Sequence, residues 1–237
     1  MEQATGENTG IFNPGEILGN ARQVIMDPVG FFRRMPKKGG YAQPLAFVVI
    51  IALATALVQA VMALIGLGGA GGFVASLAGL ILLPVMAVIG SFIGAAILFV
   101  IWKLMGSEED FETAYRCAAY AYGYAPVAAL VSGIPYVGTL VQVAWPVLLL
   151  ALATIYVHGR KPGLAWGVFG TLGVVAVISM LSAEVAGRKI VSNLEQLSQD
   201  MEENYSEEDA RAALEEAEKA FEMFRKEMGA RQNSEEP

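Results

Sequence analysis

Residues 45–65 read LAFVVIIALATALVQAVMALI, a run from Leu45 to Ile65 with no charge and with only Thr55 and Gln59 as polar side chains. A helix rises about 1.5 Å per residue, so about 20 apolar residues cross the roughly 30 Å of bilayer hydrocarbon. This run therefore reads as a transmembrane span, and the rest of the chain is organised around it. Downstream lies the glycine-rich loop Gly66–Gly72, and upstream the basic group Arg33-Arg34-Met35-Pro36-Lys37-Lys38.

Composition agrees with a membrane protein. Of 237 residues 55% are apolar and only 16% charged, against about a quarter charged in a soluble domain. The charges are segregated as well. Residues 184–237 hold 15 acids and 7 bases, and residues 1–183 hold 8 acids and 9 bases, so the net charge of -7 belongs to the tail. Charge is excluded from long stretches and gathered at their borders, as a bilayer demands. The first 40 residues lack the short apolar core of a secretory signal, so the first span is expected to be an uncleaved anchor.

Four further stretches qualify as spans. Phe73–Trp102 is uncharged but too long for one crossing, so the span is placed at 80–102 and Phe73–Gly79 is expected to extend the loop or lie at the interface. Residues 114–131 form the third span, with Arg116 near its start and Pro126 within it, and a re-entrant hairpin as the alternative. Residues 137–157 and 164–182 form the fourth and fifth. The expected fold is thus an all-α polytopic bundle of about five transmembrane helices. It divides into an N-terminal segment 1–43, a membrane domain 44–183 and an acidic tail 184–237.

Bases retained in short loops set orientation. Arg22, Arg33, Arg34, Lys37, Lys38, Lys103, Arg116, Arg160 and Lys161 all fall on one side if five spans start with the N-terminus in the cytoplasm, which places the tail outside; Arg188 and Lys189 point weakly the other way. The expected location is a cell membrane, crossed several times.

Between Pro14 and Pro36 the apolar residues Ile17, Leu18, Ala21, Val24, Ile25, Phe31 and Phe32 recur partly at helical spacing. This fits a helix lying in the headgroup layer, with Arg33, Arg34, Lys37 and Lys38 as contacts for anionic lipid. In the tail Ile190, Leu194, Leu197 and Met201, then Ala210, Leu214, Ala217, Phe221, Phe224 and Met228, form two apolar stripes separated by Asn204-Tyr205-Ser206. Each stripe needs a partner: the other stripe, the membrane surface, or a protein partner or second copy of the chain. Asn204-Tyr205-Ser206 also has the form of a glycosylation acceptor, a pattern that arises often by chance.

Ionisable groups within a membrane are the first candidates for function. Glu112, Arg116, Tyr120 and Tyr124 lie on nearly one face of the third span, with Glu112 four residues before Arg116 in the order that favours a helical ion pair. They form a candidate intramembrane polar site for a headgroup, ion or partner. Gly90 and Gly94, with Ala114, Ala118, Ala121 and Ala125, are expected to let helices approach closely inside the bundle, with dimerisation through them as the alternative. Pro84, Pro126 and Pro146 are expected to kink or break their helices.

Catalytic residues, cofactor sites and metal sites are not expected. His158 is the sole histidine and Cys117 the sole cysteine, so neither a histidine-pair metal site nor an internal disulfide can be built. Gly66–Gly72 lacks the lysine and hydroxyl residue of a phosphate-binding loop. Nothing in the chain points to nucleic acid.

The sequence resembles the Yip-domain family, five-span membrane proteins named for interacting with Ypt/Rab GTPases in eukaryotes and with many prokaryotic members. The residues carrying the resemblance are Met26-Asp27-Pro28-Val29-Gly30-Phe31-Phe32-Arg33-Arg34-Met35-Pro36, Tyr120 to Pro126, and Ile155-Tyr156-Val157-His158-Gly159. It covers about residues 24–182 and leaves out the tail. It implies a membrane-organising or partner-binding scaffold. A small channel or transporter with a polar path along the third span is the competing reading, and a Rab contact does not carry over, because the long N-terminal domain of eukaryotic relatives is not present here.

Overall fold

The computed structural model describes residues 14–67, 72–204 and 207–232. Among them regular structure is entirely helical: α1 (Pro14–Met26), α2 (Pro28–Arg34), α3 (Ala42–Leu64), α4 (Gly72–Leu104), α5 (Phe111–Ala121), a 3-10 turn (Tyr122–Tyr124), α6 (Ala125–Val131), α7 (Val137–Tyr156), α8 (Pro162–Asn204) and α9 (Glu207–Gln232). By length and composition α3, α4, α7 and α8 qualify to cross a membrane. The chain divides into two units, Met1–Ser182 and Ala183–Pro237.

The helix boundaries differ from the expected spans in three places. Phe73–Gly79 does not extend the loop, because α4 continues through it as one helix of 33 residues; nothing in that uncharged stretch supplies a stop signal. Helix α8 likewise runs from Pro162 through the charged stretch to Asn204, since no glycine-proline pair or capping residue interrupts it. The third apolar segment is divided into α5, the 3-10 turn and α6, of 11, 3 and 7 residues. Proline explains the break. Pro126 has no N–H to offer the Tyr122 carbonyl, and the Ala125 N–H takes that oxygen instead, tightening one turn to 3-10 geometry. Helices α4 and α7 continue unbroken past Pro84 and Pro146.

The N-terminal region is also corrected. It is two helices rather than one, divided where Asp27 caps α2 by accepting from the Gly30 N–H at 2.9 Å. Its apolar face is not laid on lipid. Ile17, Val24, Phe31, Phe32 and Met35 are buried in the same core as Phe47, Tyr120 and Leu149, while Leu18 and Met26 remain exposed. The bundle offers aromatic partners at fixed positions: Phe31 and Phe47 meet the Tyr120 ring edge-on at 5.1 and 5.0 Å.

Helix α3 packs against α4, α5 and α6, and α4 against α5. The alanines do part of the work expected of them: Ala114, Ala121 and Ala125 are buried. Gly90 and Gly94 do not. A side chain placed on either would meet nothing within 4 Å, so the expected close internal packing at this pair is absent. The small residues instead leave a cleft open beside α5 and α7. The close approach falls at Gly123, where an added Cβ would sit 3.0 Å from the Phe47 ring and 3.6 Å from Val24.

In the second unit Glu184 and Arg188 pair along the helix at 2.9 Å. Ile190, Leu194 and Leu197 of α8 and Leu214 and Phe221 of α9 are exposed, so the two stripes do not cover one another as a hairpin. Tyr205 and Ser206 of the acceptor pattern lie outside the described residues.

Gly123→Val should force apart the 3-10 turn, α3 and α1, at a cost of about 1–3 kcal/mol. Thermal unfolding in detergent should show a lowered midpoint for Gly123→Val, with Gly90→Val unchanged or higher.

Candidate functional site

Arg116 sits on α5 with 1% of its surface exposed. It does not pair with Glu112, and the expected helical ion pair is corrected. Both side chains instead reach across to residues 36–43, which take in the linker joining α2 to α3 and the first turn of α3. Arg116 donates from Nε to the Pro36 carbonyl at 2.7 Å, from Nη1 to the Gly40 carbonyl at 2.9 Å and from Nη2 to Gln43 Oε1 at 3.1 Å. Glu112 Oε1 accepts the Gly40 N–H at 2.7 Å. The linker outcompetes the ion pair because it brings several fixed backbone groups to a buried fork of donors, and a guanidinium is satisfied by geometry of that kind.

The linker can take this shape because of two glycines. Gly39 and Gly40 have φ of 131° and 78°, values that side-chain-bearing residues rarely adopt. Thr113 Oγ1 donates to the Lys37 carbonyl at 3.1 Å, and Gln43 passes the connection to Glu16 of α1 through its amide nitrogen.

The acidic cluster meets the basic group here. Lys37 Nζ donates to Glu109 Oε1 at 2.6 Å and to the Val157 carbonyl at 3.0 Å, and Lys38 pairs with Asp110. Asp110 also caps α5 by accepting the Thr113 N–H at 3.0 Å. Arg33 lies over the Tyr156 ring at 4.6 Å, and Arg34 pairs with Asp27 at 3.5 Å. All four expected headgroup contacts are therefore at the surface but engaged with the protein, each pair being individually weak in water.

Sequence reasoning missed a second cluster beside the first. His158 follows α7 and is 4% exposed. Its ring stacks on Trp102 of α4 at 3.9 Å, and its Nδ1 shares a hydrogen bond of 2.8 Å with Ser107 Oγ. Trp102 Nε1 donates to Thr154 Oγ1 at 2.7 Å. These contacts bind the ends of α4 and α7 together. Among the described residues His158 Nε2 has no partner. Burial pulls the pKa of the imidazole down to about 4, opposed by the smaller upward pull of Glu109 and reinforced by the nearby charges of Lys37, Arg160 and Lys103. The only available signal was a lone histidine at a span boundary, and its partners lie some fifty residues away in sequence.

The four residues expected to share a polar face do not form one continuous site. Arg116 and Glu112 belong to the linker clamp, Tyr120 is enclosed by Phe31 and Phe47, and Tyr124 ends the 3-10 turn, donating to the Gln142 carbonyl at 3.4 Å. There it lines a cavity of about 190 Å³ with Gln59, Ser132 and Gln142. Pro126 lies in the first turn of α6.

Arg116→Met should leave the Pro36 and Gly40 carbonyls without donors and cost about 2–4 kcal/mol. Trypsin cleavage after Lys37 or Lys38 in detergent should then accelerate about tenfold or more, with Arg116→Lys intermediate because one ammonium cannot reach all three acceptors. His158 gives a pH dependence of defined sign. Its folded value lies below the unfolded 6.5, so the unfolded chain takes a proton that the folded chain refuses. Stability is full above about pH 6.5 and falls toward pH 4, by at most about 3 kcal/mol. The difference in melting temperature between wild type and His158→Gln should change with pH across that window and stay constant above it.

The model of the Yip1 domain matches residues 22–183. Neither a curated protein nor a solved structure gives a significant match. The matched region takes in α2, the linker with its clamp, the broken third segment and the His158 cluster. An all-helical membrane protein with that match over more than half its length belongs to the Yip1-domain family.

Proposed function

We propose that this protein is a non-enzymatic scaffold that organises the membrane or binds partner proteins, in the cytoplasmic membrane of a prokaryote. The observation that carries the reading is the use made of its charged groups. Arg116, Glu112, Glu109, Lys37 and Lys38 are spent on holding α1 and α2 against the bundle, which produces a rigid platform at one end. Arg22, Arg33 and Arg34 are exposed on that platform, and they supply its attraction for anionic headgroups. The stripes of α8 and α9 serve a protein partner or a second copy of the chain.

The third segment counts as a fifth span in this reading. Its three pieces run from Phe111 to Val131, enough at about 1.5 Å per residue to cross the hydrocarbon. With the bases of the short loops on the cytoplasmic side, the N-terminus lies inside and the tail outside.

The Gln59, Tyr124 and Gln142 cavity favours a second reading as a channel or transporter. Against it stands the aromatic packing of Phe31, Tyr120 and Phe47 between that cavity and Arg116. No cofactor is needed in either reading.

Two measurements test this. On a Cys117→Ala background, an impermeant maleimide applied to intact cells should label Lys219→Cys but not Arg22→Cys; labelling of both or neither removes the five-span arrangement. In proteoliposomes, ion and small-solute flux should match empty liposomes and Tyr120→Cys should stay unreactive, whereas flux abolished by Tyr124→Phe would establish transport instead.

A further inference from the structure

The cleft left open by Gly90 and Gly94 and the polar cavity beyond the 3-10 turn share two walls, Tyr122 and Tyr124. The cleft has a volume of about 330 Å³ and is apolar, lined by Leu98 of α4, Ala118 of α5 and Pro146 and Leu150 of α7 along with the two glycines. The cavity is uncharged but polar. The carboxamides of Gln59 and Gln142, both exposed to the cavity's side of the bundle, have no hydrogen-bond partner among the described residues. Amides left so at the edge of hydrocarbon call for a polar partner.

The two spaces are ordered by depth. Helices α4 and α7 run in the same direction, because the bond from Trp102 to Thr154 joins their C-terminal ends. Gln142 stands about 8 Å along α7 from its start, and Pro146 and Leu150 lie about 6 and 12 Å further on. Gln59 is a similar distance from the opposite end of α3, so both amides lie near the rim of the bundle remote from the linker clamp. The polar cavity is thus at interfacial depth and the cleft descends from it toward the membrane centre.

We propose that these spaces form one binding site for a glycerophospholipid of the leaflet remote from the clamp, with its ester and glycerol oxygens accepting from the carboxamides of Gln59 and Gln142 and one acyl chain in the glycine cleft. Amide donors suit ester carbonyls. No cation lines either space, so the site selects the glycerol backbone and chain rather than headgroup charge. A helix packed onto the glycines would fill the cleft but would leave both amides unmatched unless it brought polar groups of its own, and this is the alternative the test must separate. The proposal rests on the membrane-organising reading and names the lipid that such a protein would hold.

The full chain is reconstituted in vesicles of equal phosphatidylethanolamine and phosphatidylglycerol, extracted in mild detergent, and weighed as an intact complex by mass spectrometry. Wild type should keep one phospholipid per chain, with the two headgroups represented within about twofold. Gly94→Leu, whose side chain enters open space and favours helix, and the pair Gln59→Leu with Gln142→Leu should each lower retention about tenfold, the effect of roughly one net hydrogen bond or a filled chain site, with melting temperatures preserved. Absence of lipid on wild type, equal retention by the variants, strong preference for the anionic lipid, or a second copy of the chain in its place would each overturn the proposal. Such a failure leaves the scaffold reading intact. Solute flux in proteoliposomes overturns the scaffold reading without touching lipid retention.

Discussion

A guanidinium buried at the edge of an apolar bundle must find oxygen for its donors, and Arg116 finds it on the linker between α2 and α3 and on Gln43 at the start of α3. Removing such a group from water is expensive unless its fork is filled, so the linker is held in a single shape. The consequences extend outward from there. With Pro36 and Gly40 held, α2 is delivered onto α7 and α1 onto the 3-10 turn, so that Phe31 and Val24 can close the core over Tyr120 and Gly123. The acidic first turn of α5 then has Lys37 and Lys38 as neighbours. Without the clamp, the basic segment would be the free surface helix that its composition alone describes.

Much of the fold was legible because a bilayer imposes length and polarity on a sequence without reference to tertiary contacts. Leu45–Ile65, Val137–Val157 and the uncharged part of α8 could be read for that reason. What could not be read depended on partners distant in sequence. Glu112 and Arg116 have ideal helical spacing for each other, yet the linker takes both. Gly90 and Gly94 have the pattern of a packing motif, yet pattern does not say whether a neighbour arrives. The amphipathic stripe before Pro36 looks the same whether it is covered by lipid or by Phe47 and Tyr120. Tyr120 and Tyr124 were placed on one face by assuming a continuous helix, and the missing N–H of Pro126 ended that helix between them.

The two ends of the membrane unit differ in how they are held. At the clamp end Arg116, Lys37, Trp102, Thr154 and His158 are joined through side chains and backbone carbonyls. At the other end Gln59 and Gln142 face a cavity, and α4 is exposed at Ile81, Leu82, Val85 and Met86. Order at one end and open volume at the other suit a protein that keeps a fixed face toward one compartment while adapting to what fills its remote side.

The division of the third segment bears on how the chain is made. As α5, a 3-10 turn and α6, with an arginine in its second turn, this segment gains less from entering lipid alone than the uncharged helices do, for an arginine costs an inserting helix up to about 2.5–3.5 kcal/mol at its centre and less toward its end. Every acceptor of that arginine, from Pro36 to Gln43, is synthesised before it. The first two long helices are therefore already threaded when Arg116 leaves the ribosome, and its oxygens are waiting. Biogenesis of this segment becomes an act of docking against earlier parts of the same chain, and His158, synthesised after its partners Trp102 and Ser107, joins the ends of α4 and α7 later still.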